Sequence, residues 1–133
     1  MRLAADANVL LSAVIGGKAA RILTHPSIEQ ILTAEVTLAE VQEYAGALAR
    51  RKGLALDLVL LTVASLPVTV VPRRVYAASL KEARLRIEHR DPDDAELLAL
   101  ALQMSIPVWS NDNDFENCRV TWYTTAELLR MLK

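Results

Sequence analysis

The sequence has one cysteine, four glycines, few aromatic residues and no long apolar run. The single cysteine, Cys118, excludes an internal disulfide and a thiolate metal cluster, and it fits a reducing cytoplasm. The glycines form no phosphate-binding loop, so nucleotide binding of the Rossmann or P-loop kind is not predicted. No apolar run reaches the roughly 20 residues that span a bilayer, and residues 1–6 lack the apolar stretch of a signal peptide.

Charge is also nearly balanced. With 15 basic and 16 acidic residues, the net charge is −1, so the chain as a whole does not attract nucleic acid or a membrane surface. Any contact with nucleic acid must come from local basic patches or from bound metal ions. Apolar residues make up 53% of the 133 residues, which predicts one globular domain over residues 1–133.

Apolar segments and helix signals alternate along the chain. The pattern predicts strands at residues 3–5, 30–34, 68–71, 107–110 and, at an edge, 119–121. It predicts helices at residues 9–15, 18–24, 37–52, 54–65, 77–88, 91–104 and 124–132. Strands separated by helices indicate a parallel sheet covered on both faces. We therefore predict an α/β fold, a three-layer α/β/α sandwich around a central, mainly parallel sheet of four to five strands.

Four acidic residues stand where core segments give way to turns or helix starts: Asp6, Glu40, Asp94 and Asp112. Sites in parallel α/β sheets form beyond the carboxyl ends of the strands, and these residues come from four segments that reach that edge. Gathered carboxylates need a cation to offset their charge. The pattern predicts a hard divalent ion, Mg²⁺ or Mn²⁺, and phosphoryl-transfer chemistry.

Each acid also has a local structural interpretation. Thr37 and Glu40 fit a capping box, with the threonine as N-cap and the glutamate three residues on. Asp91 fits an N-cap before Pro92, which places Asp94 in a first helical turn near the positive end of the helix dipole. Asp112 lies in a polar turn, where Asn and Asp are common.

Four motifs resemble those of the PIN-domain nucleases, in that family's order and across nearly the whole chain. They are residues 6–13 (DANVLLSA), 37–41 (TLAEV), 90–95 (RDPDDA, followed by the apolar 97–102) and 109–115 (WSNDNDF). The nearest resemblance is to small prokaryotic PIN proteins, which include the VapC-type toxins of toxin–antitoxin pairs.

The resemblance implies a Mg²⁺- or Mn²⁺-dependent endoribonuclease, possible partners being an antitoxin and RNA. Asp6 would be the central metal ligand, Glu40 and Asp94 would complete the cluster, and Asp112 would bind a second metal or its water. Asp114 and Asp93 are alternative ligands, while Asn8 and Ser110 would orient the ligands or water.

Two basic residues, Arg86 and Arg90, share one helix face that leads towards Asp94 and are candidates for contact with RNA phosphates. A solvated helix face is the alternative. The apolar segment 54–65 is predicted to be either deeply packed or a subunit contact, and a homodimer through the hairpin at residues 38–66 is expected.

Two other function classes remain open. One is a PIN-like binding or assembly module that cleaves nothing. The modest net charge and the apolar segment favour it. The other is an acidic-pocket phosphatase that acts on small phosphomonoesters. No membrane association is expected.

Overall fold

The computed structural model describes residues 1–87 and 91–133. Its core is a five-stranded sheet in the order β3-β2-β1-β4-β5, in which every pair is parallel. The strands are β1 (Arg2–Ala5), β2 (Gln30–Ala34), β3 (Thr69–Val71), β4 (Val108–Trp109) and β5 (Trp122–Tyr123). The α/β class and the parallel sheet predicted from the sequence are confirmed.

Helices cover both faces of the sheet. They are α1 (Ala7–Val14), α2 (Ala19–Leu23), α3 (Glu35–Lys52), α4 (Leu56–Ala64), α5 (Arg73–Tyr76), α6 (Leu80–Ile87), α7 (Pro92–Met104) and α8 (Thr125–Met131). One apolar core packs α5, α6 and α7 on one face of the sheet. The other core packs α1, α2, α3, α4 and α8 on the opposite face. Because both faces are covered, the short strands are mainly apolar rather than alternating, although Arg2, Gln30, Thr33 and Thr69 lie within them.

The register of the central strands positions the candidate site. Ala5 of β1 pairs with Trp109 of β4, and the backbone N–H of Asp6 donates to the Trp109 carbonyl at 2.9 Å. The residues that follow these two strands, Asp6 and Ser110, therefore emerge side by side. The order of the sheet reverses at this point, since β1 has β2 on one side and β4 on the other, and such a reversal opens a crevice.

Two predicted elements differ in the structure. The strand expected at residues 119–121 is wrong: Arg119 has a positive φ of 54°, and the edge strand forms three residues later. The helix expected at residues 77–88 begins earlier and is split, since α5, a 3₁₀ turn at Ala77–Ser79 and α6 follow one another. Its predicted last residue lies outside the described residues.

Helix α4 is not deeply packed. Only Val59 and Val63 are buried along it, while Leu58 and Leu61 are 64% and 62% exposed. Of the two outcomes predicted for this apolar segment, burial within the chain is wrong, and a subunit contact stays a prediction. Among the described residues, no helix has the length and apolar character to cross a membrane.

Candidate functional site

Asp6 is the buried anchor of the candidate site. It is 7% exposed and caps α1, with its Oδ1 accepting from the backbone N–H of Ala7 at 2.8 Å. Its Oδ2 accepts from the Ser110 hydroxyl at 2.7 Å and from the Asn8 amide at 3.3 Å. Burial raises the pKa of Asp6, while the bonds from Ser110 and Ala7 lower it and the charges of Asp112 and Asp114 raise it further.

Asn8 and Ser110 hold the two loops of the site together. The Asn8 amide also donates to the Ser110 hydroxyl at 3.2 Å, and its carbonyl oxygen accepts from the backbone N–H of Asn111 at 3.1 Å. The Ser110 hydroxyl accepts from the Asp112 N–H at 3.0 Å. Both residues thus contact Asp6 and restrict its rotation, as the sequence motifs predicted for residues that orient a ligand; their role in catalysis stays a prediction.

Glu40 lies on α3, and its capping-box interpretation is wrong. The helix begins at Glu35 with Ala34 as N-cap, and no side chain caps it. Thr37 is therefore inside the helix, and Glu40 is free of a capping role. Burial raises the pKa of Glu40 to about 7, and the charges of Asp6 and then Asp93 add to the rise. Glu40 and Asp6 are therefore close enough for their charges to interact.

Asp94 and Asp114 share a hydrogen bond across the crevice. Burial raises the pKa of Asp94 to about 8, helped by this hydrogen bond and by the charge of Asp6. Two carboxylates can bond in this way only if one of them holds a proton. Asp91 is the N-cap of α7, as predicted, and accepts from the Asp93 N–H at 3.0 Å.

Asp112 is the most exposed of the four predicted acids. It caps the 3₁₀ turn Asn113–Phe115, and its Oδ1 accepts from the Asp114 N–H at 3.1 Å. Asp93 is half-buried, and burial followed by the charges of Asp91 and Glu96 raises its pKa. The fold therefore brings the charge of Asp6 within range of Glu40 and Asp94. Asp112 and Asp114 lie within range of Asp6, and Asp93 lies within range of Glu40.

A hard divalent metal ion needs several oxygen ligands that converge on one point. Within residues 1–87 and 91–133, no three Asp, Glu, His or Cys side chains are arranged so that they could hold an ion as they stand. The donor chemistry nevertheless fits, since every member is a carboxylate and hard divalent cations prefer oxygen. Burial is the main cause of the raised pKa values of Asp6, Glu40 and Asp94, and neighbouring negative charges add to it; a bound cation would offset both effects.

The guanidinium of Arg86 makes hydrogen bonds to other parts of the chain. It bonds Glu82 at 2.9 Å and the backbone carbonyls of Cys118 and Arg119 at 3.3 and 3.0 Å. Arg86 thus ties α6 to the loop before β5, and its contact with RNA stays a prediction. Arg90 lies outside the described residues.

A second polar cluster beside the acids was not predicted from the sequence. Glu96 on α7 is 7% exposed and accepts hydrogen bonds from Arg73 and Tyr76. A glutamate within the apolar run of α7 is the only signal that could have indicated it, because its partners lie more than 19 residues away in the sequence.

A parallel α/β sheet with clustered carboxylates beyond its central strands defines a class of acidic-site domain. Residues 5–133 match the PIN domain family, and the chain therefore belongs to that family. No curated protein sequence matched the chain.

Several solved structures share the fold. VapBC-1 from nontypeable Haemophilus influenzae has a TM-score of 0.70 at 14% identity, covering 95% of this chain and 99% of that one. VapBC2 from Rickettsia felis, bound to a promoter DNA fragment, has a TM-score of 0.66 at 13% identity, and the match covers 93% of this chain and 98% of that one. Mycobacterium tuberculosis VapC20, described as a sarcin–ricin loop cleaving toxin, has a TM-score of 0.63 at 20% identity, and the match covers 90% of this chain and 96% of that one. At these identities the likeness shows the fold alone.

Proposed function

We propose that this protein is a metal-dependent endoribonuclease and the toxin of a toxin–antitoxin pair. The observation that carries the proposal is that Asp6, Glu40 and Asp94 come from three separate elements, and that the charge of Asp6 helps to raise the pKa of both Glu40 and Asp94. A purely structural role does not account for three partly buried acids, since no ion pair within residues 1–87 and 91–133 joins any of them to a basic side chain.

Asp6, Glu40 and Asp94 would hold Mg²⁺ or Mn²⁺, with Asp112 or Asp114 as a further ligand. When bound, the metal supplies Lewis-acid activation of water and stabilisation of the leaving oxygen at an RNA phosphodiester. The chain's own part is to fix Asp6 through Ser110 and Asn8, so that one carboxylate stays in place as the others rotate. Asp93 and Asp114 would be available to hold a proton or to orient water.

Proteins of the same fold support RNA as the substrate and an antitoxin as the partner. One of these proteins is described as cleaving the sarcin–ricin loop, and another as a toxin–antitoxin complex from Klebsiella pneumoniae. We infer that this chain likewise acts on RNA and pairs with an antitoxin. The cytoplasmic location predicted from the single cysteine agrees with such a role.

The test is cleavage of a mixed RNA pool with and without Mg²⁺ or Mn²⁺, comparing the parent with Asp6→Asn. Asp57→Asn is the matched control, since Asp57 is an exposed residue of α4 outside the site. We expect metal-dependent cleavage by the parent and the control but none by Asp6→Asn, whose circular dichroism should match the parent.

Other outcomes separate the alternatives. Cleavage by Asp6→Asn at the parental rate would refute the assignment of the site. A folded parent that cleaves no RNA with either ion would favour the binding or assembly module. Hydrolysis of phosphomonoesters without RNA cleavage would favour the phosphatase.

We also propose that a second copy of the chain covers α4. Leu54, Leu56, Leu58 and Leu61 are each more than 40% exposed, and single domains seldom leave so many leucines together in water. Sedimentation at micromolar concentration should show a dimer for the parent and a monomer for Leu58→Lys. A monomeric parent would contradict the proposal.

A further inference from the structure

A separate pocket opens at the same edge of the sheet as the acidic site. Its volume is 580 Å³, within the range of about 300–1,000 Å³ that is typical of ligand sites. Its walls come from α1, the turn before α2, the loop after β4 and the start of α8. A ligand can reach its side chains, since those of Ser12, Lys18, Asn111, Ala126 and Leu129 are partly or fully exposed.

Asn111 joins this pocket to the acidic site. It lines the pocket and also lines the small polar pocket that Asn8 borders. Its backbone N–H donates to Asn8 Oδ1 at 3.1 Å, and the Asn8 amide donates to Asp6 at 3.3 Å. Ser12 follows Asn8 by four residues on α1, so the two share one helix face, about one turn apart. The pocket therefore adjoins the acidic site through direct contacts.

The pocket offers one positive charge and two further hydrogen-bond donors. Among the described residues that line it, Lys18 is the only charged one, and no ion pair within residues 1–87 and 91–133 joins it to an acid. Asn111 Oδ1 accepts from the Thr125 N–H at 2.8 Å, which leaves the NH₂ group of that amide to donate elsewhere. The Ser12 hydroxyl can donate as well. An ammonium, an amide and a hydroxyl are donors that suit a phosphate.

Gly17 holds the turn that carries Lys18 against α1. Its backbone N–H donates to the Ser12 carbonyl at 2.8 Å. A β-carbon at position 17 would lie 2.5 Å from Ser12 Oγ and 2.9 Å from the Ser12 carbonyl oxygen, so this close approach of the backbone requires glycine. The turn therefore fixes the backbone of residue 18 at the rim of the pocket, beside Ser12.

We propose that this pocket binds a phosphate of the RNA strand that flanks the cleaved bond. Lys18 would supply the positive charge, while Ser12 and Asn111 would donate hydrogen bonds to the phosphate oxygens. This inference rests on the proposed ribonuclease function. A cluster of carboxylates repels RNA except where metal ions offset its charge, so a fixed cation next to the cluster holds the strand in place. Such a contact positions the strand without reading its sequence.

The first experiment measures RNA binding against salt by fluorescence anisotropy. It uses the Asp6→Asn background, a fixed Mg²⁺ concentration and a single-stranded RNA that spans a cut found in the mixed pool. Loss of one phosphate contact lowers the steepness of log Kd against log salt by about 0.7 for a single strand. We expect that decrease for Lys18→Gln, with about fivefold weaker binding to RNAs of any sequence, and neither change for Lys18→Arg.

Lys52→Gln is the matched control for the loss of one positive charge. Helix α3 begins at the edge that carries the acidic site and is 18 residues long, so Lys52 at its end lies about 25 Å from that edge. We expect Lys52→Gln to keep the affinity and the salt dependence of the background protein.

A second pair of variants changes the pocket wall and leaves Lys18 in place. Ala126 is exposed in the first turn of α8, where an acid suits the positive end of the helix dipole, so thermal unfolding of Ala126→Glu should match the parent. The new carboxylate should repel the phosphate and weaken RNA binding about fivefold. Ala126→Gln has a side chain of the same size without the charge and should bind RNA as the parent does.

Two further measurements locate the phosphate. With Asp6 intact, Lys18→Gln and Ala126→Glu should raise KM for RNA cleavage and leave kcat unchanged, since the contact is equally strong in the ground and transition states. In the Asp6→Asn background, a neutral methylphosphonate is placed at each position of the RNA in turn. At one position beside the cut it should weaken binding about fivefold but have little effect on Lys18→Gln, because both changes remove the same contact.

Each result decides the proposal. If the parent cleaves RNA while Lys18→Gln and Ala126→Glu keep its affinity and salt dependence, the phosphate site is overturned and the ribonuclease stands. If Lys18→Gln binds RNA more weakly but no methylphosphonate position is coupled to it, the effect is one of general charge and the site is likewise overturned. A parent that neither binds nor cleaves RNA would overturn both proposals.

Discussion

Replacing Asp94 by asparagine should stabilise the metal-free protein at alkaline pH. In the parent, the folded chain holds the Asp94 proton to about pH 8, whereas the unfolded chain releases it near its ordinary value of 3.8. The folded state therefore binds more protons between these values, and the free energy of unfolding falls as the pH rises through this window. Asparagine keeps the shape and can donate to Asp114 as the protonated acid does.

The magnitude follows from the pKa of Asp94. Each pKa unit corresponds to about 1.4 kcal/mol, so a fully buried acid with this pKa would lose about 6 kcal/mol. Asp94 is only half-buried, and solvent screening reduces the effect, so we expect about 2 kcal/mol. Relative to the parent, Asp94→Asn should gain little near pH 4 and about 2 kcal/mol above pH 8.

The assay is urea unfolding in chelator-treated buffer at several pH values. Asp57→Asn, on the exposed first turn of α4, is the matched control and should follow the parent. Adding Mg²⁺ at pH 8 should stabilise the parent but not Asp94→Asn, which lacks the proposed ligand. An Asp94→Asn curve parallel to the parent across the whole range would refute the view that these acids crowd one another.

Three further substitutions test individual hydrogen bonds of the fold. Ser110→Ala removes the 2.7 Å bond to Asp6 and should lower RNA cleavage about 10- to 100-fold, as measured by initial rates, because the ligand loses its orienting partner. Thr124→Ala removes the N-cap that, with Glu127, forms the capping box of α8, and thermal unfolding should show a loss of about 1 kcal/mol. Arg86→Gln breaks the bonds to two loop carbonyls and should cost about 1 kcal/mol in urea unfolding.

For each of these three substitutions, one result would contradict the prediction. Full activity of Ser110→Ala would show that Asp6 needs no positioning by the hydroxyl. A Thr124→Ala protein as stable as the parent would mean that solvent replaces the cap. If Arg86→Gln weakened RNA binding while leaving stability unchanged, the contact with RNA predicted from the sequence would be supported over the structural role.

The alternation of apolar strands and helices was readable from the sequence because local composition sets it. A short β-branched or aliphatic run bounded by Pro or polar residues favours a strand, as at β3. The same local rules placed Asp6 after β1 and Gly53 at the end of α3, where it adopts a φ of 64°. Parallel strands then direct their carboxyl ends to one edge, which is why the acids could be predicted to meet.

Features that depend on distant partners were not readable. The Thr37–Glu40 and Thr124–Glu127 motifs have the same capping-box spacing, but only the second caps a helix. The first fails because α3 starts directly after β2, with its N-cap at Ala34, three residues before Thr37.

The burial of Glu96 also could not be predicted from the sequence. Its burial is set by Arg73 and Tyr76, which reach it across the packing of α5 on α7, and the pairing of Asp94 with Asp114 joins segments 20 residues apart. Sequence pattern reports short-range preferences, whereas burial and long-range charge coupling arise only when the elements pack, because both depend on what surrounds a side chain in space.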